Sequence, residues 1–414
     1  MKIKKLFFRK EFIDSTIVTF SNFFVGIVNF LFHILMQRLL GPEKYGIVYP
    51  LIVLSLFVGL IPSTFQFIFT KDLSIMLKED KSPFLYIKNS FIFSSITLFV
   101  IFIILQSLFP LLKSAFHLDS YIDLYYIILM NFFSFFSVIF LSFLQARENF
   151  IFYSLSSVLP VVVKLLCGVV IVYFTKNYLG VMMAFVISNL FGLLVLGGEF
   201  ILAKNRYDTR KTKEIFTPGE FLKNFFITFP AVSGFIILSN IDSILVRIVL
   251  PQQSGVYSSV SVIGKASFYV AISVSTVFLP LLSKSKDLKR SNRLALIFLS
   301  IFLAGFTAVA FLISPFLSSY ILKNQFAGME KLLPYYTLLY LPYAYITYLV
   351  NYYVLARKKI YEISVFIAIV LQSFAIIFFA KNLFDVINIV GLTGFAVLIS
   401  LIVETKLTRL EVLK

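Results

Sequence analysis

The stretch RLLGPEKYG, residues 38–46, returns in the second half of the chain as RIVLPQQSG, residues 247–255. Both copies open with Arg, carry Pro at the same internal position and end with Gly, and they align without a gap. The same offset aligns Thr19-Phe20 with Thr228-Phe229, and it is close to half of the 414 residues. Each copy lies in a short break between two long apolar runs, so the sequence predicts two copies of one membrane-embedded unit.

The composition is that of a membrane protein. Hydrophobic residues make up 59% of the chain, charged residues only 14%, and the mean hydropathy is +0.95. A water-soluble domain would carry about 25% charged residues. The apolar runs approach or exceed the roughly 20 residues that a helix needs to cross the bilayer, and they lack the alternation of barrel strands. The expected fold class is therefore an all-α polytopic membrane protein.

Charged and turn-forming residues divide the chain into about twelve predicted transmembrane helices. We place them at 12–37, 46–70, 88–112, 122–145, 150–175, 179–203, 221–249, 255–282, 293–321, 332–355, 361–380 and 386–405. Lys and Arg concentrate in the loops on the side of the N-terminus, which puts both termini in the cytoplasm. The net charge of +17 fits this topology and an attraction to anionic membrane lipids. No soluble domain remains that would bind nucleic acid.

The longest predicted cytoplasmic segment lies at the middle of the chain. We expect an N-terminal six-helix lobe at 1–204, a linker at 205–218 and a C-terminal six-helix lobe at 219–414. An even number of spans before the linker makes the lobes parallel repeats, which typically face each other across a central cavity. Thr217, Pro218 and Glu220 have the spacing of a helix-capping sequence.

Ionisable residues inside a bilayer are costly and usually face a bundle interior or a watery cavity. Lys265 lies deep in the eighth predicted span, and Ser258, Ser261 and Tyr269 share its helix face. We expect a cation facing the cavity, or a structural partner of a helix carbonyl or carboxylate. Lys164 lies near the middle of the fifth span, and both readings apply to it equally.

Asp242 precedes Arg247 by five residues, and His33 precedes Arg38 by the same interval. Asp242 is a candidate to bind a cation, to accept a proton, to pair with a lysine or to pair with Arg247. His33 is a weaker candidate for ion coupling, because a lone histidine near an interface is more often only hydrogen-bonded.

Amide and tyrosine side chains form two further polar faces. Asn22 and Asn29 share one face of the first span, where they would line the cavity or tighten helix packing. Tyr340 and Tyr343 lie deep enough in the tenth span to meet a sugar ring. The neighbouring Tyr336 is typical of an interfacial tyrosine belt.

Arg38 and Arg247 most simply mark the outer interface in the repeated turn, with a cationic pair at the outer cavity mouth as the alternative. No Gly-rich phosphate loop, supported carboxylate pair or metal-ligand spacing is present in the sequence. We therefore expect a protein that is not an enzyme and that has no cofactor.

The stretch at 38–46, together with Asn240-Ile-Asp242 and Ser254-Gly-Val-Tyr257, resembles the polysaccharide transporter family, the Wzx-like oligosaccharide flippases. This family shares a superfamily with the multidrug and toxin extruders and the lipid II flippase. The resemblance implies a bacterial cytoplasmic membrane protein that moves an undecaprenyl-diphosphate-linked oligosaccharide to the outer leaflet by alternating access. It also implies coupling to Na⁺ or H⁺ and contact with other polysaccharide-assembly membrane proteins.

Two lysines and a single carboxylate among the candidate cavity residues suit an anionic head group. A cation-coupled multidrug or metabolite exporter of the related extruder fold is the alternative. A membrane glycosyltransferase or polymerase is disfavoured, because the predicted outward loops are short.

Overall fold

A computed structural model describes the backbone of residues 2–79, 81–204, 216–272, 274–275, 288–355 and 361–411. Side chains are described within 16–79, 81–203, 216–272, 274–275, 292–350 and 363–403. The predicted linker at 205–218 therefore lies outside the described residues as far as position 215. Over the described ranges the chain consists of helices and turns without strands, which confirms the all-α fold class.

The helices follow the predicted spans closely. They are α1 (Lys2–Lys78), α2 (Phe84–Ala115), α3 (Ile122–Ala146), α4 (Phe150–Thr175), α5 (Leu179–Lys204), α6 (Pro218–Leu238), α7 (Ile241–Val249), α8 (Ser254–Gly264), α9 (Leu288–Phe316), α10 (Met329–Leu339), α11 (Leu341–Leu355), α12 (Tyr361–Phe379) and α13 (Leu383–Glu411). A 3₁₀ turn at Pro251–Gln253 precedes α8, and a π turn at Leu317–Ile321 follows α9.

Within the described residues, nine helices are long and apolar enough to cross a membrane. The chain is a multi-pass membrane protein. The number is below the predicted twelve for three reasons. Helix α1 joins two predicted spans, the span predicted at 332–355 is broken into two short helices, and the described part of α12, Ile363–Phe379, has fewer than 18 residues.

Helix α1 changes direction at Gly41, where φ is 73° and ψ is 177°. A positive φ is readily adopted only by glycine, because glycine has no Cβ to clash with the backbone. The turn predicted at 38–46 is therefore located at a single residue.

The chain separates into two compact units. The first contains residues 1–32 and 51–233, and the second contains residues 33–50 and 234–414. The second unit thus includes the first copy of the repeated motif. The lobe boundaries at 204 and 219 stay a prediction.

Phenylalanine rings form the core at one end of the first unit. Phe221 lies 4.9 Å from Phe65 and stacks at 5.1 Å on Phe69, measured between ring centroids. Thr217 Oγ1 donates to Glu220 Oε2 at 3.3 Å. The predicted capping sequence therefore starts α6, and it delivers Phe221 into this core.

The two copies of the repeated motif pack against each other inside the second unit. Ser254 Oγ donates to the Gly46 carbonyl at 3.0 Å. A Cβ added at Gly46 would meet the Gly255 nitrogen at 2.6 Å, and one at Gly255 would overlap the Pro42 carbonyl. Both positions therefore require glycine for close backbone approach.

Candidate functional site

Three membrane helices break close together around one side-chain cluster in the second unit. Helix α6 ends at Leu238 and α7 begins at Ile241; α8 ends at Gly264, with helix resuming at 267; α10 ends at Leu339 and α11 begins at Leu341. A break leaves backbone N–H and C=O groups without helical partners. In membrane transporters, broken helices of this kind build substrate and ion sites.

An ion pair lies between two of these breaks. Lys265 Nζ is 3.0 Å from Asp242 Oδ1, and the side chains are 7% and 1% exposed. Asp242 lies in the first turn of α7, and Lys265 directly follows α8. Each charge therefore lies at the helix end whose dipole favours it. Of the roles considered for Asp242, the observed geometry corresponds to pairing with a lysine.

The second oxygen of Asp242 is hydrogen-bonded by tyrosines. Tyr257 donates to Oδ2 at 2.6 Å, and Tyr336 donates to the same oxygen at 3.5 Å. Tyr336 is only 1% exposed, so its assignment to an interfacial belt was wrong: its hydroxyl has a buried carboxylate to bind. Sequence analysis named Tyr257 only as part of the motif at 254–257 and gave it no role at the site, because a single tyrosine in a serine-rich segment carries no distinctive spacing.

Short polar side chains complete the cluster. Ser261 Oγ lies 3.4 Å from Ser243 Oγ and 3.4 Å from the Tyr336 hydroxyl. Lys265 Nζ also lies 3.4 Å from Asn240 Oδ1 and 3.4 Å from Ser243 Oγ. Ser261 was predicted at this site. Asn240 and Ser243 were not assigned to it, because they lie at the break between α6 and α7 and no local sequence signal marks that break.

Tyr340 and Tyr343 hold the break at the end of α6. Their rings stack with centroids 4.4 Å apart, and Tyr340 donates to the Ser239 carbonyl at 2.8 Å. Tyr343 donates to Gln372 Oε1 at 2.9 Å, and Gln372 Nε2 donates to the Leu238 carbonyl at 3.3 Å. These hydroxyl groups thus bind, directly or through Gln372, the carbonyls that the end of α6 leaves free.

Tyr269 lies on the predicted face but is not buried as the ion pair is. Its side chain is 40% exposed, whereas Ser258 on the same segment is fully buried. The face predicted around Lys265 is continuous only through α8, because the helix breaks immediately after Gly264.

Lys164 and Asn29 meet in the first unit. The Lys164 ammonium donates to Asn29 Oδ1 and lies 4.9 Å and 4.4 Å from the ring centroids of Phe32 and Phe185. Lys164 is 6% exposed. No ion pair to a carboxylate is formed by Lys164 among the residues whose side chains are described. Asn22 is exposed, so the two residues of the predicted amide face have different surroundings, and Asn29 is the one that contacts Lys164.

The remaining predicted residues surround the repeated turn in the second unit. His33 Nδ1 lies 3.1 Å from the Tyr45 hydroxyl, and its ring meets Tyr49 edge-on at 5.7 Å. Arg247 is buried and donates to the Pro251 carbonyl at 3.4 Å, whereas Arg38 is exposed. The two arginines therefore differ in surroundings, and Arg247 is part of the architecture of the turn.

No protein-family model matches the sequence, and no curated protein matches it either. Solved structures do match in fold. An inward-facing multidrug resistance MATE family transporter of the MOP superfamily aligns with a TM-score of 0.67 at 13% identity, over 94% of this chain and 95% of that chain. The lipid II flippase MurJ, in an inward closed conformation, aligns with a TM-score of 0.65 at 17% identity, over 94% and 87%.

An outward-facing MATE transporter of the same superfamily aligns with a TM-score of 0.62 at 14% identity, over 95% of both chains. These alignments extend over 94–95% of this chain, and the TM-scores establish a shared fold at low sequence identity. The chain therefore has the fold of the MOP-superfamily transporters.

Proposed function

We propose that this protein is a flippase that moves an undecaprenyl-diphosphate-linked oligosaccharide from the inner to the outer leaflet of the bacterial cytoplasmic membrane. The proposal includes cytoplasmic termini and alternating access between two parallel lobes. It is supported by the fold, which is that of a lipid II flippase and of multidrug transporters. The observation that carries the anionic substrate is the buried, carboxylate-free ammonium of Lys164.

Lys164 is the better of the two lysines for a diphosphate. Among the described side chains, an amide oxygen and two ring faces stabilise its charge, and a buried charge without a counter-ion is costly. An incoming phosphate would supply that counter-ion. Asn29 would then act as a placeholder that releases the ammonium when substrate arrives.

Lys265 has a different role, because Asp242 already neutralises it. Separating the two charges in a buried site is strongly unfavourable. We propose that this ion pair holds the ends of α6 and α8 in fixed positions relative to each other between transport steps. A direct role of Asp242 or His33 in binding Na⁺ or H⁺ stays a prediction.

The test is flipping by purified protein in reconstituted vesicles that contain a fluorescent lipid-linked oligosaccharide. Charge-assisted hydrogen bonds contribute roughly 1.5–3 kcal/mol, so Lys164→Gln should lower the apparent substrate affinity about tenfold or more. Lys176→Gln is the matched control, since Lys176 ends the same helix and is exposed. Equal flipping by wild type and Lys164→Gln would remove the lysine from substrate binding.

A cation-coupled multidrug or metabolite exporter is the second candidate, because the two MATE structures described above are multidrug transporters. The two functions differ in the phenotype of a deletion strain. Loss of surface polysaccharide supports the flippase, as does recovery with the intact gene. Sensitivity to cationic dyes with intact surface polysaccharide supports the exporter. Contacts with other polysaccharide-assembly proteins belong to the first proposal only.

A further inference from the structure

Two cavities of about 320 Å³ each adjoin in the first unit, where the C-terminal part of α1 meets the start of α6. Both include Asn224 in their lining. They lie where the apolar run predicted at 46–70 ends and where α6 begins at Pro218. The ends of apolar spans lie at the level of the lipid head groups, and on the predicted topology these are the head groups of the inner leaflet.

The first cavity, the basic groove, is lined by Phe67, Ile68, Lys71, Asn224, Ile227 and Thr228. Lys71 is exposed and forms no ion pair among the described side chains. Phe67 is 63% exposed and Ile227 is 49% exposed, so the apolar wall of the groove is open to the hydrocarbon. The basic groove therefore offers a cation and two polar side chains beside a surface that suits an acyl chain.

The second cavity, the acidic cavity, is lined by the carboxyl groups of Asp72 and Glu220 and by the rings of Tyr86 and Phe221. Asp72 Oδ2 accepts a hydrogen bond from Tyr86 at 2.6 Å, and Glu220 Oε2 accepts one from Thr217 at 3.3 Å. Neither carboxyl group forms an ion pair with a described side chain. An ammonium group here would meet two negative charges and aromatic rings, all of which attract cations.

The two cavities favour opposite charges although they are adjacent. Lys71 and Asp72 are consecutive residues that interact electrostatically, yet they line different cavities. A purely anionic head group in the basic groove would be repelled by the nearby carboxylates, and a purely cationic one in the acidic cavity would be repelled by Lys71. A head group that joins a phosphate to an amine complements both cavities at once.

We propose that the basic groove and the acidic cavity together bind an aminophospholipid, a membrane lipid whose phosphate is linked to a primary amine. The phosphate accepts hydrogen bonds from the polar side chains of the basic groove, and the ammonium donates to the two carboxylates of the acidic cavity. One acyl chain lies along the apolar wall. The net charge of +17 attracts anionic lipids without distinguishing them, whereas this site selects a lipid by its amine.

The lipid preference is tested by native mass spectrometry of the purified protein in detergent, titrated with short-chain phosphatidylethanolamine or phosphatidylglycerol. Both lipids have a phosphate and acyl chains, but only the first has an amine. We expect wild type to bind the ethanolamine lipid about twofold or more tighter. Equal affinities, or tighter binding of the glycerol lipid, would overturn the amine-binding site.

Glu220→Gln tests the acidic cavity, because glutamine keeps an oxygen that can accept from Thr217 while it removes one negative charge. The variant should bind the ethanolamine lipid about two- to fivefold more weakly, without any loss of affinity for the glycerol lipid. A purely structural defect would weaken the binding of both lipids. Equal losses for the two lipids would therefore overturn the assignment of Glu220.

Lys71→Gln tests the basic groove. A lysine at the membrane surface contributes enough attraction to an anionic head group that both lipids should bind about fivefold more weakly. Lys78→Gln is the matched control, since Lys78 is exposed at the end of the same helix and lines neither cavity. Equal affinities of the two variants for the ethanolamine lipid would overturn the phosphate site.

Glycerophosphoethanolamine, which has the same head group without acyl chains, distinguishes a lipid from a soluble phosphate ester. We expect it to leave the bound lipid in place at equal concentration, because it cannot contact the apolar wall of the basic groove. Full displacement would assign the site to a soluble ligand and overturn the proposal. These binding measurements involve no transport, so the lipid site stands or fails independently of the flippase function.

Discussion

Gly46 and Gly255, the last residues of the two repeated motifs, pack directly against each other in the second unit. Their approach is tight enough that a Cβ on Gly46 would meet the Gly255 backbone nitrogen at 2.6 Å. Neighbouring atoms here belong to backbone, which has little freedom to move aside. The two copies of the repeated motif are therefore in direct contact in the folded protein.

Gly255→Ala should destabilise the protein, because its new methyl group would overlap the Pro42 carbonyl. Overpacking typically costs about 1–3 kcal/mol, and backbone overlap belongs at the upper end of that range. Thermal unfolding in detergent measures the effect. Gly198→Ala is the control, since nothing lies within 4 Å of the new Cβ. A helical Gly→Ala change of this kind should stabilise by up to about 1 kcal/mol.

Removal of one partner of the Asp242–Lys265 pair should be worse than removal of both. A single buried charge left without its partner costs about 3–5 kcal/mol. Asp242→Asn and Lys265→Met should each lower the unfolding temperature strongly, and the double variant should recover part of the loss. The measurement is a double-mutant cycle on thermal unfolding. Additive losses would contradict a direct interaction between these residues.

Tyr257→Phe should be more damaging than Tyr336→Phe. Both substitutions remove a hydroxyl that points at Asp242, but the oxygen–oxygen distances are 2.6 Å and 3.5 Å. A hydrogen bond to a charged group contributes roughly 1.5–3 kcal/mol, whereas one at the limit of distance contributes little. Comparing the stability of the two purified variants tests the ranking. The reverse order would mean that Tyr336 is the main donor.

Gln372→Ala should destabilise the break between α6 and α7. The substitution leaves the Leu238 carbonyl without its donor and the Tyr343 hydroxyl without one acceptor. An unsatisfied buried carbonyl costs about 1–3 kcal/mol, whereas the Tyr343 hydroxyl keeps the Val390 carbonyl as an acceptor at 3.2 Å. Gln106→Ala is the control, because Gln106 is exposed and surface changes usually stay within about 0.5 kcal/mol. Equal unfolding temperatures for the two variants would contradict this role of Gln372.

The spans were predictable because the length of an apolar run and the positions of its flanking charges are local properties of the sequence. The break at Tyr340 also has a local signal in Pro342, which lies in the first turn of α11. The break between Leu238 and Ile241 has none of comparable strength. Its free carbonyls are bound by Tyr340 and Gln372, which come from helices far along the chain.

The charged members of the candidate site were predictable, together with Ser261 and Asn29, which share helix faces with other polar residues. A lysine or an aspartate inside an apolar run stands out by itself, which identified Lys164, Lys265 and Asp242. The hydroxyl donors around Asp242 do not stand out, since tyrosine and serine are frequent throughout this chain. The partners of Lys164 could not be predicted either, because the approach of Phe185 depends on how α4 and α5 pack.

Residues 33–50 belong to the second unit although they precede its other residues by more than 180 positions in the sequence. Their partners Ser254, Gly255 and Ser259 follow some two hundred positions later; Ser259 Oγ donates to Gln37 Oε1 at 2.7 Å. Long-range contacts of this kind form slowly. Gln37 and Gly46 therefore lack these contacts until the residues around 254–259 have been synthesised. A fragment made only of the second half would lack the segment on which Gly255 packs.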